Sequence, residues 1–136
     1  MSEPQRPNTV SLPTDQELVL KVIPMPAACN ARGDIFGGWV MAQVDLAGAG
    51  RPARRGRGRM VTVAVNEFIF KQAVKVGDIL SFFSRIVRVG RTSVTVKVEV
   101  FAERFQLQGQ YIKVTEANLT YLAVDDQVKP RPVPAE

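Results

Sequence analysis

Asn30-Ala31-Arg32-Gly33-Asp34-Ile35-Phe36-Gly37-Gly38-Trp39-Val40-Met41-Ala42-Gln43-Val44-Asp45 is the stretch from which the rest of the chain can be read. A polar, glycine-spaced loop runs here into an apolar segment of helical period, and that segment carries an acid. Between Gly38 and Gly48, Val40, Val44 and Ala47 share one helical face, while Met41, Asp45 and Gly48 share the adjacent one. Small residues around the acid leave room for something to approach. After Ala47 almost every apolar segment reads as strand. The expected fold class is therefore α+β, an antiparallel sheet in the order β-α-β-β-β-β wrapped around one central helix. Asp45 is then expected near the middle of the fold, where a carboxylate is costly without partners or a task. A satisfied structural carboxylate is the plain alternative to a functional one.

Outward from that stretch, Glu17 to Ile23 is rich in branched residues and reads as a first strand, ended by Pro24-Met25-Pro26. Residues 1–14 are polar and proline-bearing and are expected to be loosely ordered. Downstream, Gly48-Ala49-Gly50 followed by Pro52 should end or kink the helix. Four strands follow: Val61 to Phe70, Ile79 to Val89, the run after the tight Gly90-Arg91-Thr92 turn, and Tyr111 to Val124. In the third, Val94, Val96, Val98 and Val100 alternate with Thr95, Lys97 and Glu99, as a strand with one buried face requires. These elements make a single domain over 15–126, with 127–136 an extended, proline-rich tail. One sheet covers one side of the helix and leaves its edges open, so at least a homodimer is expected.

The chain has 136 residues and no histidine, which excludes Ser-His-Asp and Cys-His nucleophile systems and histidine-bearing zinc sites. Cys29 is the sole cysteine, so no intrachain disulfide forms and a reducing, cytoplasmic setting fits. No secretory signal is legible at the N-terminus, and no apolar run approaches the roughly 18 residues of a membrane helix, so membrane insertion is not expected. Acid–base chemistry is left to carboxylates, lysine or tyrosine. A net charge of +5 points to an anionic partner, and much of it sits in Arg51-Pro52-Ala53-Arg54-Arg55-Gly56-Arg57-Gly58-Arg59. That run is either a solvated basic loop or a phosphate-binding one. It lacks the interleaved aromatics of a single-strand nucleic-acid binder, and no nucleic-acid partner is expected.

Gly37 and Gly38 stand at the helix start, where backbone N–H groups lack intrahelical partners and the dipole favours negative charge. Such donors suit a carbonyl oxygen that becomes an oxyanion. Asp45 lies seven residues beyond Gly38, about 10 Å along the axis at roughly 1.5 Å per residue, too far to act on a carbonyl held by its own helix start. Antiparallel helices across a dimer axis would bring Asp45 of one copy to Gly37 and Gly38 of the other. One carboxylate and a few N–H donors suit a thioester, because a thiol with a pKa of about 8.5 leaves without a general acid. Asp45 would activate water as general base or attack directly to give an anhydride. Asn30 would orient the water or hold the carboxylate. Otherwise it is a turn residue bonded to its own backbone, and the glycines serve close helix–sheet packing.

The run Asn30-x-x-Gly33-Asp34-Ile35-Phe36-Gly37-Gly38-Trp39 with Asp45 closely resembles the YciA-type acyl-CoA thioesterases of the hotdog fold. The likeness continues through Gly58-Arg59-Met60-Val61-Thr62-Val63, Val76-Gly77-Asp78, Thr92-Ser93-Val94, Thr115-Glu116-Ala117 and Lys129-Pro130-Arg131. This resemblance implies a sheet wrapped on a central helix, and homodimers with interfacial sites, often assembled as a trimer of dimers. It implies hydrolysis of acyl-CoA to free fatty acid and coenzyme A, with no cofactor or metal beyond the coenzyme A of the substrate. Asp45 is then base or nucleophile, Asn30 comes from the opposite subunit, and a glycine N–H polarises the carbonyl. A non-catalytic acyl-CoA-binding protein is the alternative. The chain departs from relatives at Gly50, Arg51 and Pro52 and in the density of its arginines. Arg54, Arg55, Arg57 and Arg59, with Arg91, Thr92 and Ser93 of the hairpin, are candidates for binding the coenzyme A phosphates.

Overall fold

The computed structural model describes residues 9–136; the first eight residues of the segment expected to be loosely ordered lie outside it. Strand β1 spans Glu17–Val22 and helix α1 spans Gly37–Gly48, followed by a short second helix, α2, at Gly50–Gly56. Strands β2 (Met60–Phe70), β3 (Ile79–Val89), β4 (Ser93–Glu103) and β5 (Tyr111–Ala123) complete the fold. The five strands form one sheet in the spatial order β1-β3-β4-β5-β2, antiparallel at every step. This is the sheet-on-helix arrangement expected from the sequence.

The alternation in β4 does what its period requires. Val94, Val96, Val98 and Val100 are fully buried, as are Val40 and Val44 of α1, and Ala47 is nearly so. Leu80, Phe82, Val114 and Leu119 of the neighbouring strands join the same cluster. The outer face of the sheet is polar and ordered: Thr95 and Thr120 hydroxyls meet at 3.0 Å, and Lys113 donates to Glu116 at 2.6 Å and pairs with Glu99 at 2.7 Å.

The structure corrects one expectation and makes two others more definite. Asp45 is half-buried rather than central, because its helical face turns toward the junction of β5 with the edge strand β2. The arginine run is only partly a solvated loop: its first half is helical, and Arg57, Gly58 and Arg59 remain an exposed loop. Ala49 keeps helical angles, so the Gly48–Gly50 break is a kink, and the chain winds again as α2 with Pro52 in the first turn, where its missing N–H costs nothing. The tail is extended but docked: Arg131 donates its backbone N–H to Ala123 at 2.9 Å, Val133 donates to Arg91 at 2.7 Å, and the Val133 side chain packs against the core.

β2 pairs only with β5 and presents its other edge unpaired. Val63, Val65, Ile69 and Phe70 on this strand are each at least 41% exposed. Register shifts interrupt the β2–β5 pairing between Thr62 and Ala64 and between Asn66 and Ile69, with Glu67 at φ 55, a left-handed conformation rare outside glycine.

Candidate active site

Asp45 projects from α1 toward the β2–β5 pair. Thr62 and Tyr121 are direct cross-strand partners there, so both side chains stand on one face of the sheet. Thr62 Oγ1 donates to Asp45 Oδ1 at 2.7 Å. The Tyr121 hydroxyl lies 3.0 Å from the same Oδ1 and 2.8 Å from the Asp45 backbone carbonyl, sharing its one proton between them. Oδ2 accepts no hydrogen bond among the described residues. Burial, and then the charge of Asp45 beside it, push the Tyr121 phenol well above its ordinary value, so it stays a neutral donor. One carboxylate oxygen is thus held twice and the other is left open.

At the far end of α1, Phe36 occupies the N-cap and contributes no side-chain cap. Its carbonyl accepts from Trp39 and Val40, so the N–H groups of Gly37 and Gly38 have no acceptor among the described residues. A Cβ on Gly38 would meet nothing within 4 Å, whereas one on Gly37 would lie 3.3 Å from the Phe70 ring. A cavity of about 360 Å³ opens at this point, lined by Ile35, Gly37, Phe70 and the chain from Lys71 to Val74. The helix start is therefore open in front of Gly38, as an oxyanion site requires.

Asn30 is engaged locally. Its Oδ1 accepts the backbone N–H groups of Arg32 at 2.9 Å and Asp34 at 3.2 Å, an arrangement that closes the Asn30–Asp34 turn. No hydrogen bond joins it to Asp45 within one chain among the described residues. One chain therefore does not bring Asn30, the helix-start glycines and Asp45 together.

The basic residues divide. Arg54 pairs with Glu17 of β1 at 2.5 Å, Arg51 donates to the Ser84 carbonyl at 3.3 Å, and Arg55 donates to the Pro134 carbonyl and faces Glu136 at 3.5 Å. Arg57, Arg59 and Arg91 make no ion pair among the described residues. The backbone brings the last two close: Ala123 donates to the Thr92 carbonyl at 2.8 Å, and Val124, the next residue, donates to the Arg59 carbonyl at 3.0 Å. The end of β5 therefore joins the arginine run to the Arg91-Thr92-Ser93 hairpin.

Sequence reasoning missed Thr62 and Tyr121 as functional residues. Both sit inside strands whose alternation marks them only as inward or outward. The available signal was Tyr121 itself, since a tyrosine on a buried strand face needs a partner for its hydroxyl.

The family profile for the Thioesterase superfamily matches residues 32–107. The acyl-CoA thioester hydrolase YciA of Escherichia coli (strain K12) is 44% identical over 122 residues, which span 88% of this chain and 92% of that protein. A hexameric thioesterase from Yersinia pestis superposes with a TM-score of 0.85 at 44% identity, over 92% of this chain and all of that one. An aspartate-to-alanine mutant of a hexameric broad-specificity acyl-coenzyme A thioesterase, HI0827, superposes equally well at 38% identity, covering 88% of each chain. The sheet wrapped on α1 is the hotdog fold, and the chain belongs to the thioesterase superfamily and, within it, to the acyl-CoA thioester hydrolases of YciA type.

Proposed function

We propose that the protein hydrolyses acyl-CoA thioesters at a site shared between two copies of the chain, with Asp45 as the acting carboxylate. The observation that carries this is the asymmetric hold on Asp45: Thr62 and Tyr121 bind Oδ1, and Oδ2 accepts no hydrogen bond among the described residues. Such a carboxylate is oriented but not neutralised, which suits a general base or a nucleophile.

As base, Oδ2 takes a proton from water while the water oxygen bonds to the thioester carbon. Negative charge collects on the carbonyl oxygen, where a Gly37 or Gly38 N–H of the second copy donates. The C–S bond then breaks and coenzyme A leaves as thiolate. As nucleophile, Oδ2 itself bonds to that carbon, expels the thiolate, and water hydrolyses the resulting anhydride. The helix separation within one chain supports the shared site, as does the open apolar edge of β2. Asn30 reaches Asp45 only from the opposite subunit in this arrangement, and its amide nitrogen would hold the water. The hexameric assembly of the relatives fits a trimer of such dimers. Coenzyme A enters only as part of substrate and product, bound through its phosphates by Arg57, Arg59 and Arg91 with Thr92 and Ser93. Substrates of this kind suit a cytoplasmic setting, as does the single cysteine.

Thiol release from short, medium and long acyl-CoAs, measured for wild type beside Asp45→Asn, tests the reading. Turnover in the wild type, lowered about 10²–10⁴-fold in a folded, equally assembled variant, supports it. Absence of turnover on any acyl-CoA would leave a protein that binds acyl-CoA without cleaving it. Full activity in Asp45→Asn would remove the aspartate from the mechanism.

A further inference from the structure

Helix α1 breaks where its acid needs a grip. The N–H of Ala49, which would ordinarily close a turn onto the Asp45 carbonyl, turns instead to Leu46 at 3.4 Å. That leaves the Asp45 carbonyl to the Tyr121 hydroxyl, which reaches it at 2.8 Å while also reaching Oδ1. The phenol arrives through the space above Gly48. A Cβ at that position would sit 2.6 Å from the Tyr121 oxygen and 3.3 Å from a Val98 methyl. Tyr121 itself is 1% exposed, so its ring is fixed by the core and its hydroxyl cannot seek another partner in solvent. Backbone kink, glycine and tyrosine therefore act as one fixture around a single carboxylate, the first two from the end of α1 and the third from β5.

We infer that Tyr121 is a positioning residue for hydrolysis: by tying Oδ1 to the backbone carbonyl of the same aspartate, it fixes the Asp45 rotamer and makes Oδ2 the reacting oxygen, with Gly48 keeping the approach clear. This rests on the reading of Asp45 as the acting carboxylate. The hydroxyl touches no substrate atom; it acts through the aspartate. Its loss frees the carboxylate to rotate, so fewer bound substrates meet Oδ2 in a reactive geometry. Substrate binding does not depend on that rotamer.

Steady-state kinetics on Tyr121→Phe, Gly48→Ala, Asp45→Asn and the double variant Asp45→Asn/Tyr121→Phe test the inference. In Tyr121→Phe, kcat should fall about tenfold with KM within about twofold of wild type, as expected for loss of a hydrogen bond to a charged group felt in the reacting state. Adding Tyr121→Phe to Asp45→Asn should change nothing further, since both act on one group. Gly48→Ala keeps the tyrosine but forces its hydroxyl to shift from a methyl 2.6 Å away, and should give the same fall in kcat at constant KM. An unchanged kcat in Tyr121→Phe, with Asp45→Asn inactive, would overturn the positioning role alone. A tyrosine that merely packs would show a lowered melting temperature with full kcat in both variants, and that result also overturns it. Full activity in Asp45→Asn would instead overturn the premise, and with it the proposed mechanism.

Discussion

Thr62 Oγ1 stands 2.7 Å from Asp45 Oδ1, reaching across from an edge strand to the flank of the central helix. The bond ties the most exposed strand of the sheet to the one acid on α1. Removing it should loosen the carboxylate without uncovering the core, because Thr62 is itself exposed in the single chain. Thr62→Val should lower kcat about five- to tenfold, in line with one solvent-exposed hydrogen bond, whereas Thr62→Ser should keep most of the activity. Acyl-CoA turnover with melting temperature measured alongside decides between this and a packing effect.

The open edge of β2 carries the second prediction. Val63 is 54% exposed there, on a strand with no partner on that side. Val63→Glu should block pairing of a second copy, since a carboxylate would have to be desolvated in the joint. The variant should sediment as a smaller species, keep its far-ultraviolet dichroism and lose nearly all activity. A dissociated variant with wild-type kcat would refute the shared site.

Arg131 concerns stability. Its guanidinium donates to the carbonyls of Gly56 and Val124, each at 2.8 Å, and of Arg59 at 3.3 Å, fastening the tail to the end of α2 and the start of β2. Loss of these charge-assisted bonds in Arg131→Ala should cost about 2–3 kcal/mol. Arg131→Lys should recover only part of it, because a single ammonium does not reproduce the planar fork. Urea denaturation at fixed protein concentration measures both.

The division among the arginines predicts a split in substrate affinity. Arg57→Ser with Arg59→Ser should raise KM for acyl-CoA several-fold, most strongly at low ionic strength, where phosphate contacts are least screened. Arg54→Ser should leave KM unchanged, since Glu17 already holds that guanidinium. Equal effects from both changes would show that the basic patch acts only through its summed field.

Acid stability should be governed by the outer face of the sheet. The Lys113 ammonium donates to Glu116 and, with Lys97, holds its carboxyl at about 2 against the opposing effect of partial burial. Burial pushes Glu99 up, but donors from Lys113 and Gln16 outweigh it and keep it below its ordinary value. Both carboxyls are more acidic folded than unfolded. Their contribution is present above the ordinary value of 4.5 and is lost as pH falls from there toward about 2. Asp78 works in the opposite sense, because burial raises it and protonation on acidification relieves that cost. Glu116→Gln should flatten the fall in urea midpoint over that acid range, and an unaltered slope would contradict the assignment.

How much was legible in the sequence depended on how local the signal was. The valines at 94, 96, 98 and 100 announce a half-buried strand by period alone, and the switch to helical period at Gly38 announces α1, because side-chain direction follows directly from backbone repeat. The absence of histidine likewise left acid–base chemistry to carboxylates, lysine or tyrosine before any fold was known, and the paired glycines and Asp45 stood out as candidates. The strand order β1-β3-β4-β5-β2 was not legible, since it depends on pairings between distant segments. Nor was the second helix: glycines and a proline are individually poor helix formers, yet Pro52 falls in a first turn, and side-chain contacts from Arg51, Arg54 and Arg55 anchor the rest. The sequence by itself determined that an acid would stand on a helix against a sheet. Only the tertiary structure decided that Thr62 and Tyr121 would hold it by one oxygen. A hydrogen bond between residues 76 apart in the chain leaves no periodicity behind; it exists because β5 lies beside β2 and both face α1.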